Sequence, residues 1–339
     1  VSIIVTPRVI LDPINAPKML LLFILSTAGI SLILPHLGFY FKGKAKLLLI
    51  FTGIYIADLL LILFLSDADF GQQIFGTFGR NNGFLAYLGL ILVFLLGALT
   101  SNESSMKRFL LGLVFVSMVS GVYGILQSMK IDPAGFVSLY SPAIGFLGNP
   151  DFFSAFHGLA LIASLAMAIV VREKNNLRYV YVISTLLNTY ALKIAGAKQG
   201  VLVAVIGIAM VILILAYQRS KALGYSLTSV GFVGLILVAL GLINSGPLAS
   251  IIYKSSLEAR GYYWGAAWKM TVESPFIGIG LDNFGSWYRR ARSEAAFQWL
   301  PTQETNAAHN VYLDFSSNGG FPFLLLNLFL VALVLYSFL

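Results

Sequence analysis

Nine apolar runs decide what this chain can fold into. They fall at 19–35, 46–65, 84–100, 109–127, 152–171, 179–195, 201–217, 227–243 and 321–339. A bilayer's hydrocarbon core takes about 20 helical residues to cross, and these runs reach or approach that length. In lipid only a helix or a closed barrel satisfies its own backbone, and the alternation of a membrane barrel is absent. The expected fold is therefore an all-α polytopic membrane protein. It has about nine transmembrane helices: eight runs form the bundle of 1–243, one large outer-face loop with interfacial helices occupies 244–308, and residues 309–339 carry the His-Asn segment and the last helix.

Composition agrees. Of 339 residues, 58% are hydrophobic and only 11% are charged. A soluble domain carries about 25% charge, so an aqueous core would lack its charged shell. That excludes a soluble enzyme, a disordered chain and a nucleic-acid binder, in spite of the net charge of +8. With no cysteine there is no disulfide framework, thiolate metal site or cysteine nucleophile. Three histidines, His36, His157 and His309, give little material for a His-rich metal site.

The charges instead report topology. Basic loops hold Lys42, Lys44 and Lys46, then Lys107 and Arg108, then Arg172, Lys174 and Arg178, then Arg219 and Lys221. They alternate with loops that are neutral or acidic, holding Asp67, Asp69 and Arg80 in one and Lys130, Asp132 and Asp151 in another. The positive-inside rule makes the basic set cytoplasmic and puts 244–308 outside. Parity also puts residues 6–18 outside. Residues 1–5 then read either as the end of a preceding helix or as the boundary left by a cleaved signal peptide. Leu339 falls in or just after an apolar run, so truncation at both ends is the expectation.

The outer loops concentrate the chemistry. The segment 244–308 is long, polar and rich in Tyr and Trp, unlike a disordered tract. Residues 258–272 read as a helix lying in the headgroup plane, ended by Ser274-Pro275, with Arg260, Trp264, Ala267 and Thr271 on one face. The Arg260 guanidinium is a permanent cation shaped for phosphate; the competing readings are snorkelling or an ion pair with Glu258 or Glu273. Gly278-Ile279-Gly280 lacks the strand that a dinucleotide fingerprint needs before it, so it reads as a tight turn. His309, at the junction of polar loop and apolar helix, is a candidate general base, against a structural role. Lys198, near Gly200 at a helix start, is placed to meet an anion, whereas Lys193 reads as snorkelling. Asp67 and Asp69 form an Asp-x-Asp pair able to hold a metal diphosphate, or else are solvated or capping. Asp151 reads as a helix cap and His157 as packed. Asp58, in the middle of the second run, calls for a polar partner in the bundle.

Together these pieces resemble the O-antigen ligase-like superfamily of lipopolysaccharide O-antigen ligases, O-antigen polymerases and pilin-type O-oligosaccharyltransferases. The likeness rests on Asp12-Pro13 with Pro17-Lys18, Phe75-Gly76 with Arg80 and Gly83, Gly148-Asn149-Pro150, Arg260 with Trp264, then Pro275, Gly278, Gly280 and Phe284, and finally His309-Asn310 with Tyr312-Leu313. Where many members carry Ser-Arg-Gly between two middle helices, this chain has Lys198-Gln199-Gly200, keeping the charge but losing the bidentate fork.

The resemblance implies a glycosyltransferase of the bacterial or archaeal cytoplasmic membrane, with its active site on the periplasmic or extracellular side. The implied donor is a polyprenyl-diphosphate-linked glycan. The implied acceptor is a hydroxyl on lipid A-core, another glycan or a protein Ser or Thr. His309 and Arg260 are the implied catalytic residues. Arg260, Lys198 and Arg80 would meet the diphosphate, with Asn310, Tyr312 and Trp264 in support. Membrane lipids are the surroundings, and no cofactor or metal is required. Two alternatives stand beside this reading: a metal-dependent lipid-linked glycosyltransferase using Asp67 and Asp69, and a transporter or flippase for a lipid-linked anion.

Overall fold

The structure, a computed structural model, describes residues 2–6, 12–43, 45–136, 141–171, 176–253, 255–299 and 301–336. Val1, Lys44, Arg172, Lys174 and Leu339, used above to read topology and ends, lie outside the described residues. The described chain is helical, with no strand. In order it forms α1 (Asn15–Ile33), α2 (Leu37–Lys42), α3 (Lys46–Leu65), α4 (Phe70–Phe75), α5 (Phe84–Thr100), α6 (Glu103–Ser128), α7 (Pro150–Val170) and α8 (Asn176–Ala195). Then follow α9 (Lys198–Arg219), α10 (Lys221–Leu242), α11 (Ala249–Ile252), α12 (Ser255–Glu273), α13 (Phe284–Ala291), α14 (Glu294–Trp299) and α15 (Val311–Tyr336).

All nine apolar runs are helices: α1, α3, α5 to α10 and α15. Among the described residues seven helices are long and apolar enough to cross a membrane. The 17-residue α5 is too short for that measure, and α8, interrupted by polar residues such as Ser184 and Asn188, is not among the seven. The chain is a multi-pass membrane protein.

Helix starts follow capping chemistry. Asn102 and Ser105 form a reciprocal capping box on α6. At α7 the cap is Asn149, not the expected Asp151: extended backbone at Asn149 swings its side-chain oxygen over the free amide of Asp151, 2.8 Å away. Pro150 sits in the first turn, where its missing N–H costs nothing. The last helix differs more. Its apolar run begins at 321, yet α15 begins at Val311 and breaks at Gly320, whose φ is +71°. Its upper turns hold Ser316, Ser317 and Asn318, polar but buried, so hydropathy alone reads them as loop.

The chain divides into two compact units, Val1–Lys18 with Ser101–Ile236, and Met19–Thr100 with Leu237–Leu339. In the first unit α7 packs on α6, α8 and α9. A side chain at Gly200 would put its Cβ 2.2 Å from the Ser154 carbonyl oxygen, so the α7–α9 contact requires a glycine. His157 is fully buried here: Nδ1 lies 2.6 Å from Asn188 Oδ1 and Nε2 lies 3.2 Å from Ser120 Oγ. Asn188 in turn donates to Ser184 and Ser117. In the second unit α3 packs on α5 and α15, and α12 on α13 and α15. Asp58 does not find the partner expected for it, because Oδ2 has no hydrogen bond among the described residues.

Candidate active site

The second unit gathers most of the candidate residues around α12. Helix α12 ends where Ser274-Pro275 stops it, and the turn that follows is built on glycines. Gly278 and Gly280 have φ of +66° and +97°, and a Cβ at Gly278 would lie 2.4 Å from the backbone of Asn318. The break in α15 leaves the carbonyls of Ser317 and Asn318 unpaired by their own helix. The amides of Ile279 and Gly280 donate to them at 2.9 and 3.1 Å. Those amides are therefore spent on packing, and the Gly-x-Gly is a structural turn rather than a phosphate cradle.

Above that turn, α12 buries Tyr263, Ala266, Ala267 and Met270 against Phe284 and Tyr288 of α13 and Ala308. Ala267 and Thr271 are fully buried, while Trp264 is 36% exposed and Arg260 is partly exposed. The shared face thus runs from core to surface along the helix. Neither Glu258 nor Glu273 takes the Arg260 charge: Glu273 faces Lys269 at 3.9 Å, and Arg260 forms no ion pair among the described residues. Leu257, Glu258, Gly261, Tyr262 and Trp264, which flank Arg260, line a cavity of about 570 Å³ together with Leu242 and Ile243.

His309 is exposed and its φ is +54°, a left-handed backbone that a side-chain-bearing residue adopts at a cost. Its neighbours hold it there. The Ala308 amide donates to Asp314 Oδ1 at 2.8 Å, and Asn310 Oδ1 accepts from the amides of Tyr312 and Leu313, which caps α15. The imidazole packs 5.8 Å, centroid to centroid, from the Tyr263 ring. Arg260 precedes Tyr263 by three residues on the same helix, a spacing that puts Cβ atoms about 5–6 Å apart. Tyr312 is exposed, beside Asn310.

Arg80, which the sequence expects to share a site with Arg260, reaches the segment before His309 from the loop after α4. Its Nε lies 3.4 Å from Asp282 Oδ1 and its Nη1 donates to the Asn306 carbonyl at 2.6 Å, three residues before His309. Asp282 Oδ2 accepts from the amides of Thr77 and Asn82 at 2.7 and 3.3 Å, and its carbonyl accepts from Thr77 Oγ1 at 2.7 Å. Burial pushes the Asp282 carboxyl above its usual range, although the Arg80 charge and those amides pull the other way. Asp282 is the residue that sequence reasoning missed. Its one signal was its place directly after the Gly-x-Gly turn. Of five non-glycine residues with positive φ among the described residues, Asn81, Asp282 and His309 all lie in the three segments that Arg80 ties together. Backbone strain collected in this way marks sites whose geometry is held for use.

Three further candidates have other surroundings. Lys198 belongs to the other unit, exposed at the first turn of α9, with no side-chain cap before it. Asp69 spends its carboxylate as the cap of α4, accepting from the Gln72 amide at 2.7 Å. Asp67 lines a separate cavity of about 290 Å³ beneath the 275–279 turn, without Asp69. No group of three or more His, Asp or Glu able to hold a metal occurs among the described residues.

The class this defines is a multi-pass membrane protein whose second unit sets a histidine ring against a tyrosine of the helix that carries an arginine. Residues 183–328, from within α8 to within α15, match the family model Wzy_C, described as O-Antigen ligase. That stretch contains Lys198, Arg260, Trp264, His309, Asn310 and Tyr312 but not Arg80. The match supports the O-antigen ligase-like superfamily and, with the apolar helices, a membrane enzyme of the glycan-transferring kind. Neither the curated proteins nor the solved structures give a match.

Proposed function

We propose that this protein transfers a glycan from a polyprenyl-diphosphate carrier to an acceptor hydroxyl, at the outer surface of a bacterial or archaeal cytoplasmic membrane. The acceptor is lipid A-core, another glycan or a protein Ser or Thr. The observation that carries the reading is the approach of His309 to Tyr263 on the helix that bears Arg260.

In this reaction the His309 imidazole takes the acceptor proton. The freed oxygen attacks the anomeric carbon, and the bonding pair leaves with the diphosphate. Charge grows on that leaving group as the bond breaks, so a fixed cation stabilises the transition state more than the ground state. Arg260 forms no ion pair among the described residues and is the first such cation. The Arg80 guanidinium has five N–H donors. Its Nε faces Asp282 and its Nη1 is bonded to Asn306, which braces the segment before His309 and leaves its other donors for phosphate oxygens. Lys198, exposed at the first turn of α9, is a further candidate cation for an anionic substrate. Asn310 positions His309 through the cap of α15, Tyr312 lies beside it, and Trp264 walls the cavity next to Arg260. The apolar and aromatic walls of that cavity suit the first isoprene units of the carrier. Attack opposite the diphosphate gives inversion.

No step requires a metal, and the capping role of Asp69 argues against the Asp67/Asp69 alternative. The test is purified protein with a polyprenyl-diphosphate glycan and the three acceptor classes. Transfer that survives chelator but falls by about a hundredfold or more in Arg260→Ala supports the reading. Full-rate transfer by well-folded Arg260→Ala and His309→Ala proteins overturns it. Movement of donor across the vesicle wall without a covalent product identifies a flippase instead.

A further inference from the structure

Asp58 poses a problem separate from glycan transfer. It lies seven residues from the end of α3, about 10 Å along the helix axis. The residue is only 8% exposed, and its Oδ2 has no hydrogen-bond partner among the described residues. One turn earlier the polar groups are matched: Tyr55 donates to Asn327 Oδ1 at 3.2 Å, and Asn327 donates to the Phe323 carbonyl at 2.8 Å. Asp58 instead lines a groove of about 820 Å³ between α3 and α15, in which every other lining residue is apolar. Ala57 and Ala332 keep that groove hollow, while Leu61 and Leu325 stand 50% and 62% exposed on its walls. A carboxyl at that depth, without a donor, is costly in a membrane and signals a missing partner.

We propose that the α3–α15 groove seats one transmembrane helix of a partner protein, apolar along its contact and carrying a single Lys or Arg that pairs with Asp58. Acyl chains fill the groove but bring no donor to the carboxyl. The described long helices of a second copy do not supply one either. In them every Lys and Arg lies in the first or last two turns, and a twofold pairing of the groove sets Asp58 against Asp58. A helix with a basic residue at the depth of Asp58 meets both the shape and the charge.

The probe is a synthetic Leu/Ala membrane helix with one central lysine, compared with its leucine twin, each photocrosslinked to the purified protein in phosphatidylcholine vesicles. The lysine peptide is expected to crosslink to α3 and α15 at a tenfold lower peptide-to-lipid ratio than its twin. Asp58→Leu should erase that preference. Ala332→Trp, which fills the groove and leaves the carboxyl alone, should block both peptides and covers the case in which Asp58→Leu folds poorly. Equal capture of the two peptides, a preference that survives Asp58→Leu, or crosslinks confined to other helices overturns the proposal. So does Asp58-dependent energy transfer between two labelled copies of the protein, which makes the groove a self-interface. Glycan transfer is not read out here, so the outcome is independent of the proposed reaction.

Discussion

The two histidines that the structure places inside and outside the helical core teach opposite lessons. His157 is fully buried between α6 and α8, with both ring nitrogens beside a polar atom of Asn188 or Ser120. Its backbone is ordinary helix, and nothing about it is available to a substrate. His309 sits on a left-handed backbone at the surface, against a tyrosine ring, on the helix-start segment that Asn310 and Asp314 hold in place. The first uses its chemistry to lock three helices together. The second has its conformation enforced by others and lies at the exposed surface.

Breaking this contrast begins with His309→Ala. Loss of a general base should lower transfer by roughly a hundred- to ten-thousandfold, with the melting temperature in detergent nearly unchanged, because the side chain is exposed. An equal loss in His157→Ala at constant folded fraction would erase the distinction. The expected result there is the reverse. Truncation leaves a cavity and takes the partner from Asn188 Oδ1, costing about 2–4 kcal/mol of stability by denaturant or thermal titration, while turnover per folded molecule holds.

Next is the brace. Asp282→Ala strips Arg80 of its carboxylate and leaves two loop amides unpaired, an effect of about 2 kcal/mol once the partial exposure of Arg80 is allowed for. A roughly tenfold fall in kcat should accompany it. A double variant with Arg80→Ala should fall well short of the summed losses, since both act through one contact. Full additivity would mean that the pair does not act as a unit.

The smallest effect is at Asp132 in the first unit. Partial burial works against its charge. Hydrogen bonds from Tyr123 at 2.6 Å, Gln127 at 3.0 Å and the amides of Ala134 and Phe136 outweigh that and hold the carboxyl below its usual range. A lowered native pKa favours the ionised native state. The stabilisation is therefore present above the ordinary aspartate range, about pH 4, and is lost as pH falls through the depressed value. Asp132→Asn should cost less than about 1 kcal/mol at neutral pH, with a melting curve that no longer weakens in this way on acidification. Asp282, pushed the other way, should show the opposite sign: its ionisation weakens the native state as pH rises through its elevated pKa.

The bundle was legible because hydropathy is a property of each run by itself. Every apolar segment became a helix, and Ser274-Pro275 stopped α12 where chain stereochemistry says it must. Candidates for the site were legible only where one residue type suggests its own chemistry, as with Arg260 and His309. What stayed hidden depends on partners distant in sequence. Asp282 looks like any turn aspartate until Arg80, two hundred residues earlier, is beside it. The upper part of α15 looked like loop because Ser316, Ser317 and Asn318 are polar, yet they are buried under α12 and the 275–283 turn. Asp69 offered a metal ligand in its spacing, and only the capped amide of Gln72 shows how its oxygen is used.

An unbroken rod running from hydrocarbon to water would carry each tilt of its submerged half straight to its upper end. In α15 that rod is severed at Gly320, just before Pro322, and the upper piece is moored to α12 through Ser316 and Thr271 and to the following turn through Ser317 and Ile279. The piece that starts beside His309 is therefore insulated from the bilayer. As local thickness fluctuates, the lower rod can lean while the imidazole keeps its station against Tyr263.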